Sequence, residues 1–192
     1  MSADARTLSF YQAQTQAYAE RAKPPPHLNE FTTALPAGAT ILDLGCGAGQ
    51  DSASMRDAGF DVVSMDASRA LAEEAKRRWN VDVRVLDFAD LDEVERFDGV
   101  WANASLHHAQ RADLPGIFAR MRRALKPGGL LHASLKEGAE DRRDKFGRFF
   151  CAMDADALGR LVDGWASASI TRSTGTGFDD ELTHWLRVAA RR

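Results

Sequence analysis

Between residues 40 and 135 the chain alternates short apolar runs with longer amphipathic stretches. TILDL (40–44), FDVVSMD (60–66), VDVRVLD (81–87), FDGVWANAS (97–105) and LLHASL (130–135) read as buried strands. The stretches between them follow a helical period. Residues 50–58 form one predicted helix, closed by Gly59. Ser68 is placed to cap a second helix running through Arg78. A third covers residues 112–125 and stops at Lys126-Pro127-Gly128-Gly129. Strands alternating with helices imply right-handed crossovers and a parallel sheet covered on both faces, an α/β fold.

The flanks differ from this middle. Residues 4–22 have helical spacing and end at Lys23-Pro24-Pro25-Pro26, and a short helix is expected over residues 27–35. Residues 136–148, KEGAEDRRDKFGR, are charged and aperiodic, which predicts a mobile loop. A helix over residues 154–162 follows, then two strand-like runs, 165–173 and 183–190. Their connection is too short for a helical crossover, so they should pair as an antiparallel hairpin. We therefore divide one domain, 1–192, into an N-terminal helical lid (1–36), a core (37–135) and a C-terminal substrate loop, helix and hairpin (136–192).

Composition narrows the function classes. A length of 192 residues suits a single domain, and 44% hydrophobic residues suffice for an ordinary core. The net charge of −3 leaves no footprint for nucleic acid. Two cysteines, Cys46 and Cys151, support neither a disulfide framework nor a thiolate metal cage, so no metal is expected. The first residues lack a secretory pattern, and no apolar run approaches the roughly 18 residues of a membrane span. The expectation is a soluble, cytoplasmic protein, a monomer or homodimer, with neither membrane nor nucleic-acid partner.

The chemistry concentrates in ILDLGCGAGQDS, residues 41–52. Gly45, Gly47 and Gly49 recur at every second position, and Gln50 stands where a dinucleotide fold would place its third glycine. A Gly-Lys-Ser/Thr is missing too, which excludes a nucleotide P-loop. Asp43, just ahead of the loop, would repel a pyrophosphate but suits a cation. S-adenosylmethionine has that character, carrying an ammonium and a sulfonium and no phosphate.

These residues resemble the first motif of the class I S-adenosylmethionine-dependent methyltransferases. FDVVSMDAS, VRVLDFADL, FDGVWANASLHH and LKPGGLLHASL resemble the motifs that follow, in order. The resemblance implies a Rossmann-like sheet of seven strands, mostly parallel, the last antiparallel, with helices on both faces. It implies S-adenosyl-L-methionine as cofactor and S-adenosyl-L-homocysteine as product. Asp43 would face the methionyl ammonium across Gly45, Cys46, Gly47 and Gly49. Asp66, beside Ala67, would hold the ribose hydroxyls, Asp87 the adenine amino group, and Phe88 would flank the ring. Tyr11 and Tyr18 would close the lid over the cofactor, and Asn103 lies at the end of the fourth strand.

Methyl transfer needs alignment more than acid–base chemistry. His107 and His108, after the fourth strand, are the candidate base or acceptor-orienting groups. Lys136 and Arg148 are the candidate contacts to an anionic small-molecule acceptor. Nucleic-acid base methylation is disfavoured, because Asn103-Ala104-Ser105-Leu106 stands where such enzymes carry Asn/Asp-Pro-Pro-aromatic. The compact size resembles the small-molecule and tellurite-resistance branches. Two other readings stay open: a protein that binds the cofactor without turnover, and, disfavoured by Asp43 and Gln50, a nicotinamide oxidoreductase.

Overall fold

The computed structural model describes residues 4–178 and 180–192. Residues 1–3 of the expected lid, and Asp179 in the hairpin turn, lie outside the described residues. The helices are α1 (Ala5–Ala13), α2 (Thr15–Arg21), α3 (His27–Thr33), α4 (Gln50–Asp57), α5 (Arg69–Trp79), α6 (Leu114–Ala124) and α7 (Ala155–Leu161). The strands are β1 (Thr40–Leu44), β2 (Asp61–Asp66), β3 (Val83–Val85), β4 (Phe97–Ala102), β5 (Leu125–Glu137), β6 (Arg142–Arg143), β7 (Phe149–Phe150), β8 (Ala152–Met153), β9 (Ser167–Thr176) and β10 (Leu182–Arg191).

The main sheet runs β3-β2-β1-β4-β5-β10-β9, with β8 added in parallel against the end of β5. Strands β1 to β5 are parallel, and β10 is antiparallel to both its neighbours, as expected. Apolar β1 and β4 at the centre are buried on both faces. On one face Phe97, Val100 and Leu131 pack with Ile117, Phe118 and Met121 of α6. On the other, Ile41 and Trp101 meet Leu28 and Phe31 of α3 and Met55 of α4. Strand order reverses between β1 and β4, which opens a crevice at their carboxyl ends. No helix among the described residues is long and apolar enough to cross a membrane.

Several expectations needed correction. Residues 4–22 are two helices, broken at Gln14, where φ is −112°. The Thr15 hydroxyl donates to the Tyr11 carbonyl at 2.6 Å, a back-bond of the kind that bends helices. The bend brings the Tyr11 and Tyr18 rings edge to face, 5.0 Å apart. Lys126-Pro127-Gly128-Gly129 does not delay the fifth strand. Leu125 already pairs with Phe97 and Leu130 with Gly99, so the intervening residues form a bulge, with Gly128 at φ 77°. Strand β3 keeps only three residues of the expected seven, because Asp87 is taken up in capping the next turn.

The charged segment after residue 136 is structured rather than a solvated loop. Lys136 and Glu137 finish β5, and β6 pairs antiparallel with β7. Asp144 closes the turn between β6 and β7, accepting from the amides of Phe146 at 3.0 Å and Arg148 at 2.9 Å.

Candidate active site

The glycine loop leaves β1 in a conformation that side chains resist. Gly45, Gly47 and Gly49 have φ of +79°, +56° and +81°, all in the left-handed region. Each also meets a neighbour. A Cβ on Gly45 would lie 2.4 Å from the Ser105 Cβ, and one on Gly49 would lie 2.8 Å from the Ala75 Cβ. At Gly47 it would touch the Tyr18 ring at 3.4 Å. The loop is thereby pressed between the turn after β4, helix α5 and helix α2.

Asp66 clasps this loop from β2. Its carboxylate accepts from the Gly47 amide and from the Ser68 amide, both at 2.8 Å. Each oxygen keeps a further lone pair for a ligand.

Two adjoining cavities lie over the crevice, sharing Tyr18, Gly45 and Ala104. The first lies between Tyr11 on α1, Gly47, Asp66, Ala67, Phe88 and His108. The second has Asp43, Cys46, Asp51 and Asn103 in its wall. The structure thus gathers Tyr11, Tyr18, Asp43, Gly45, Cys46, Gly47, Asp66, Ala67, Phe88 and Asn103 around one site. Gly49 stands behind it as the N-cap of α4. Asp87 lines neither cavity. It accepts from the Ala89 amide at 3.2 Å and so caps the turn that carries Phe88 into the first cavity.

Asp43 and Asp51, buried, and Asp66, half-buried, give the site its charge. Asp43 accepts a hydrogen bond from Ser52 at 2.6 Å, and Ser64 supports Ser52 at 2.8 Å. Asp51 accepts from the Trp101 indole at 2.8 Å through one oxygen, while its other oxygen is buried with no hydrogen-bond partner among the described residues. None of Asp43, Asp51 and Asp66 forms an ion pair among the described residues. Burial, with Asp51 nearby, raises the Asp43 carboxyl well above its ordinary value. Burial pushes Asp51 up to about 6, and it raises Asp66 against the pull of two backbone amides. The Cys46 thiol is likewise pushed well up by burial, which makes it inert.

Sequence pattern does not single out Asp51, although it stands inside the motif. An acid in the first turn of a helix reads as a favourable dipole partner. Only the fold shows it turned against Trp101 and into the cavity.

The histidines take different places from those expected. His108 lines the first cavity, but His107 lies behind it, buried. The Phe149 carbonyl, 2.8 Å from His108 Nδ1, can only accept, so that nitrogen carries the proton. His108 Nε2 is then an acceptor, and Tyr11 donates to it at 2.9 Å. His107 Nε2 is 3.2 Å from the same atom, and its Nδ1 has no partner among the described residues. Burial holds His108 at about 4, and burial with His108 beside it lowers His107 well below the ordinary range. Both rings are neutral at pH 7.

Lys136 and Arg148 do not present their charges to these cavities. Arg148 is 3% exposed and pairs with Asp144 at 2.6 Å. The rings of Phe10, Phe146, Phe150 and Phe178 surround its guanidinium at 4.7–5.7 Å, and it hydrogen-bonds Tyr11. The Lys136 ammonium sits 3.6 Å over the Phe150 ring. Their charges are spent on holding α1 and β7 together, where aromatic faces replace water.

Comparison with known proteins adds to this geometry. Residues 41–129 match a family model described as a methyltransferase domain. A cypemycin N-terminal methyltransferase from Streptomyces sp is 36% identical over 111 residues, covering 55% of this chain and 45% of that protein. A malonyl-[acyl-carrier protein] O-methyltransferase from Xylella fastidiosa is 36% identical over 106 residues, covering 50% of this chain and 34% of the relative. Among solved structures, the 1,6-didemethyltoxoflavin-N1-methyltransferase of Burkholderia thailandensis, bound to 1,6-didemethyltoxoflavin and S-adenosylhomocysteine, superposes with a TM-score of 0.75. It is 24% identical, and the match covers 96% of this chain and 84% of that one. The chain spans between a third and three fifths of the length of the curated relatives it matches. Its fold is that of the Rossmann-like methyltransferases.

Proposed function

We propose that this chain is a class I S-adenosylmethionine-dependent methyltransferase acting on a small-molecule acceptor. The observation that carries the reading is the set of three carboxylates, Asp43 and Asp51 buried and Asp66 half-buried, around one crevice with no cation of the chain's own paired with them among the described residues. Buried charge without a partner is costly, and a cationic ligand relieves it where a pyrophosphate would aggravate it. The matched methyltransferase domain over residues 41–129 supports the same conclusion.

Bound there, S-adenosylmethionine supplies an electrophilic methyl group on a sulfonium. Asp43 and Asp51 hold the ammonium end, Asp66 the ribose hydroxyls, and Phe88 walls the adenine. The Tyr18 ring leaves room at Gly47 for no more than a bare Cβ, at 3.4 Å, so the lid closes tightly over the loop.

Tyr11 and His108 fasten that lid rather than drive proton transfer. A proton passed through Tyr11 would have to rest on His108, which burial holds at about 4. The chain therefore works by proximity and by excluding water. Acceptors that arrive without a proton, or with an acidic one, suit it best.

Calorimetry with S-adenosylmethionine and S-adenosylhomocysteine, followed by label transfer from methyl-labelled donor to a metabolite panel, tests this. Binding of both, with acceptor-dependent release of S-adenosylhomocysteine, is expected. Binding without transfer to any acceptor would favour a non-catalytic sensor, and binding of NAD in their place would refute the assignment.

A further inference from the structure

A third cavity lies beyond Asn103 and Ala104, with His27, Glu30, Ser134, Trp185 and Arg187 in its wall. Ala104 lines all three cavities, and Asn103 lines this one and the second. One short turn thus separates the third space from the ends of both others. The turn is firmly held. The Ala104 amide donates to the Ser134 hydroxyl at 2.7 Å, and that hydroxyl donates to the Asn103 side-chain oxygen Oδ1 at 2.9 Å. His27 Nε2 reaches that same oxygen at 3.1 Å.

Arg187 is the group left over. It stands on β10 directly opposite Ser134 on β5, with its side chain half-buried. Its Nε is buried and has no hydrogen-bond partner among the described residues, nor does the guanidinium form an ion pair among them. A buried donor left unmade costs the full desolvation of that group. Glu30, the acid in this wall, is exposed on α3 and makes no ion pair with it. The other titratable neighbours are neutral. Burial lowers His27, and burial together with His27 and Arg187 pushes His132 down to about 3. The wall therefore offers one permanent cation, a planar fork suited to a carboxylate or phosphate.

We infer that this cavity receives the methyl acceptor and that Arg187 binds an anionic group on it, a carboxylate or a phosphate. The inference rests on the methyltransferase reading above. The acceptor's nucleophilic atom then faces the donor at the Ala104 turn. Its lone pair forms the bond to the methyl carbon as the carbon–sulfur bond breaks, and that bond's electrons stay on sulfur as a neutral thioether. An anionic nucleophile gives a neutral product. A neutral amine gives a methylated ammonium, whose proton leaves to solvent.

Two arms test this. In the first, succinate and inorganic phosphate are titrated into the S-adenosylhomocysteine complex, following Trp185 emission, for wild type, Arg187→Gln and Arg187→Met. Arg172→Gln, which removes an exposed charge on β9, is the control. Saturable binding of at least one probe is expected, weakened about tenfold or more by both Arg187 variants and unchanged in the control. The probe that saturates tells carboxylate from phosphate. Binding of neither probe, or equal losses in the control, would overturn the inference. In the second arm, acids and their amides are compared as acceptors. The acids should turn over at lower KM, and Arg187→Gln should raise KM for the acids alone. Equal turnover of acids and amides by wild type would also overturn it. Failure of wild type to bind S-adenosylhomocysteine would refute the methyltransferase reading instead, and the anion titration of the free protein would still decide what Arg187 binds.

Discussion

Asp51→Asn should make the protein more stable and its cofactor site worse. The substitution keeps the side chain's shape, and a carboxamide oxygen can still accept from Trp101 at 2.8 Å. What it removes is a buried charge. In the ligand-free protein the Asp51 carboxyl is raised from 3.8 to about 6, chiefly by burial. With the folded value above the unfolded one, the native state holds the extra proton. Its stabilising effect is full below 3.8, declines as pH rises through about 6, and is gone above that. At pH 7.5 the ionised group therefore costs the fold roughly 3 kcal/mol. Removing it should raise the melting temperature by about 6–12 °C in a chain of this size, and by little at pH 4. The cofactor should suffer in return, since an ammonium loses one of two carboxylates, about 1.5–3 kcal/mol or at least tenfold in affinity. Differential scanning fluorimetry from pH 4 to 8 reads the first effect. Calorimetry with S-adenosylmethionine in two buffers of different ionisation enthalpy reads the second, along with a smaller proton release near pH 6 in the variant than in wild type. A variant that melts no higher than wild type at pH 7.5, or binds as tightly, would refute the reasoning.

Asp66→Ala should weaken S-adenosylhomocysteine binding at least tenfold, because the ribose loses its acceptor and the Gly47 amide its anchor; undiminished calorimetric affinity would reduce Asp66 to a loop brace. Gly49→Ala should cost about 2–4 kcal/mol in urea unfolding, from a left-handed φ of +81° and a Cβ 2.8 Å from Ala75, although Gly49 lines neither cofactor cavity. Wild-type stability in that variant would show that α5 can shift freely. Tyr11→Phe breaks the link from lid to His108, so bound S-adenosylhomocysteine should protect the Lys23 region from protease less than in wild type. The pH profile of kcat completes the set. The folded His108 value, about 4, lies below the ordinary 6.5, so the ring stays neutral from pH 8 down to about 5, and the stability contributed by that neutral ring is lost as pH falls below 6.5 toward 4. An acid limb in kcat at 6.5 would show a solvent-exposed histidine at work instead.

The local grammar of this chain is legible in its sequence. Alternating apolar runs and glycines place the strands, the β1 loop and the terminal hairpin, because backbone hydrogen bonding and side-chain period act over a few neighbouring residues. Ser68 capping α5 is of the same kind. The placement of charge is not legible there. Lys136 and Arg148 sit in a stretch that looks solvated, yet Phe10, Phe146, Phe150 and Phe178 come from three distant parts of the chain to enclose one of them. Tyr11 and His108 meet across 97 residues. Arg187, between Leu186 and Val188 on an apolar strand, looks like an outward-facing charge until β5 pairs beside it and α3 covers that face. Whether a charge is solvated, paired or left waiting for a ligand depends on what the rest of the chain brings against it. Only the tertiary structure decides that, because desolvation is set by surroundings and not by sequence neighbours.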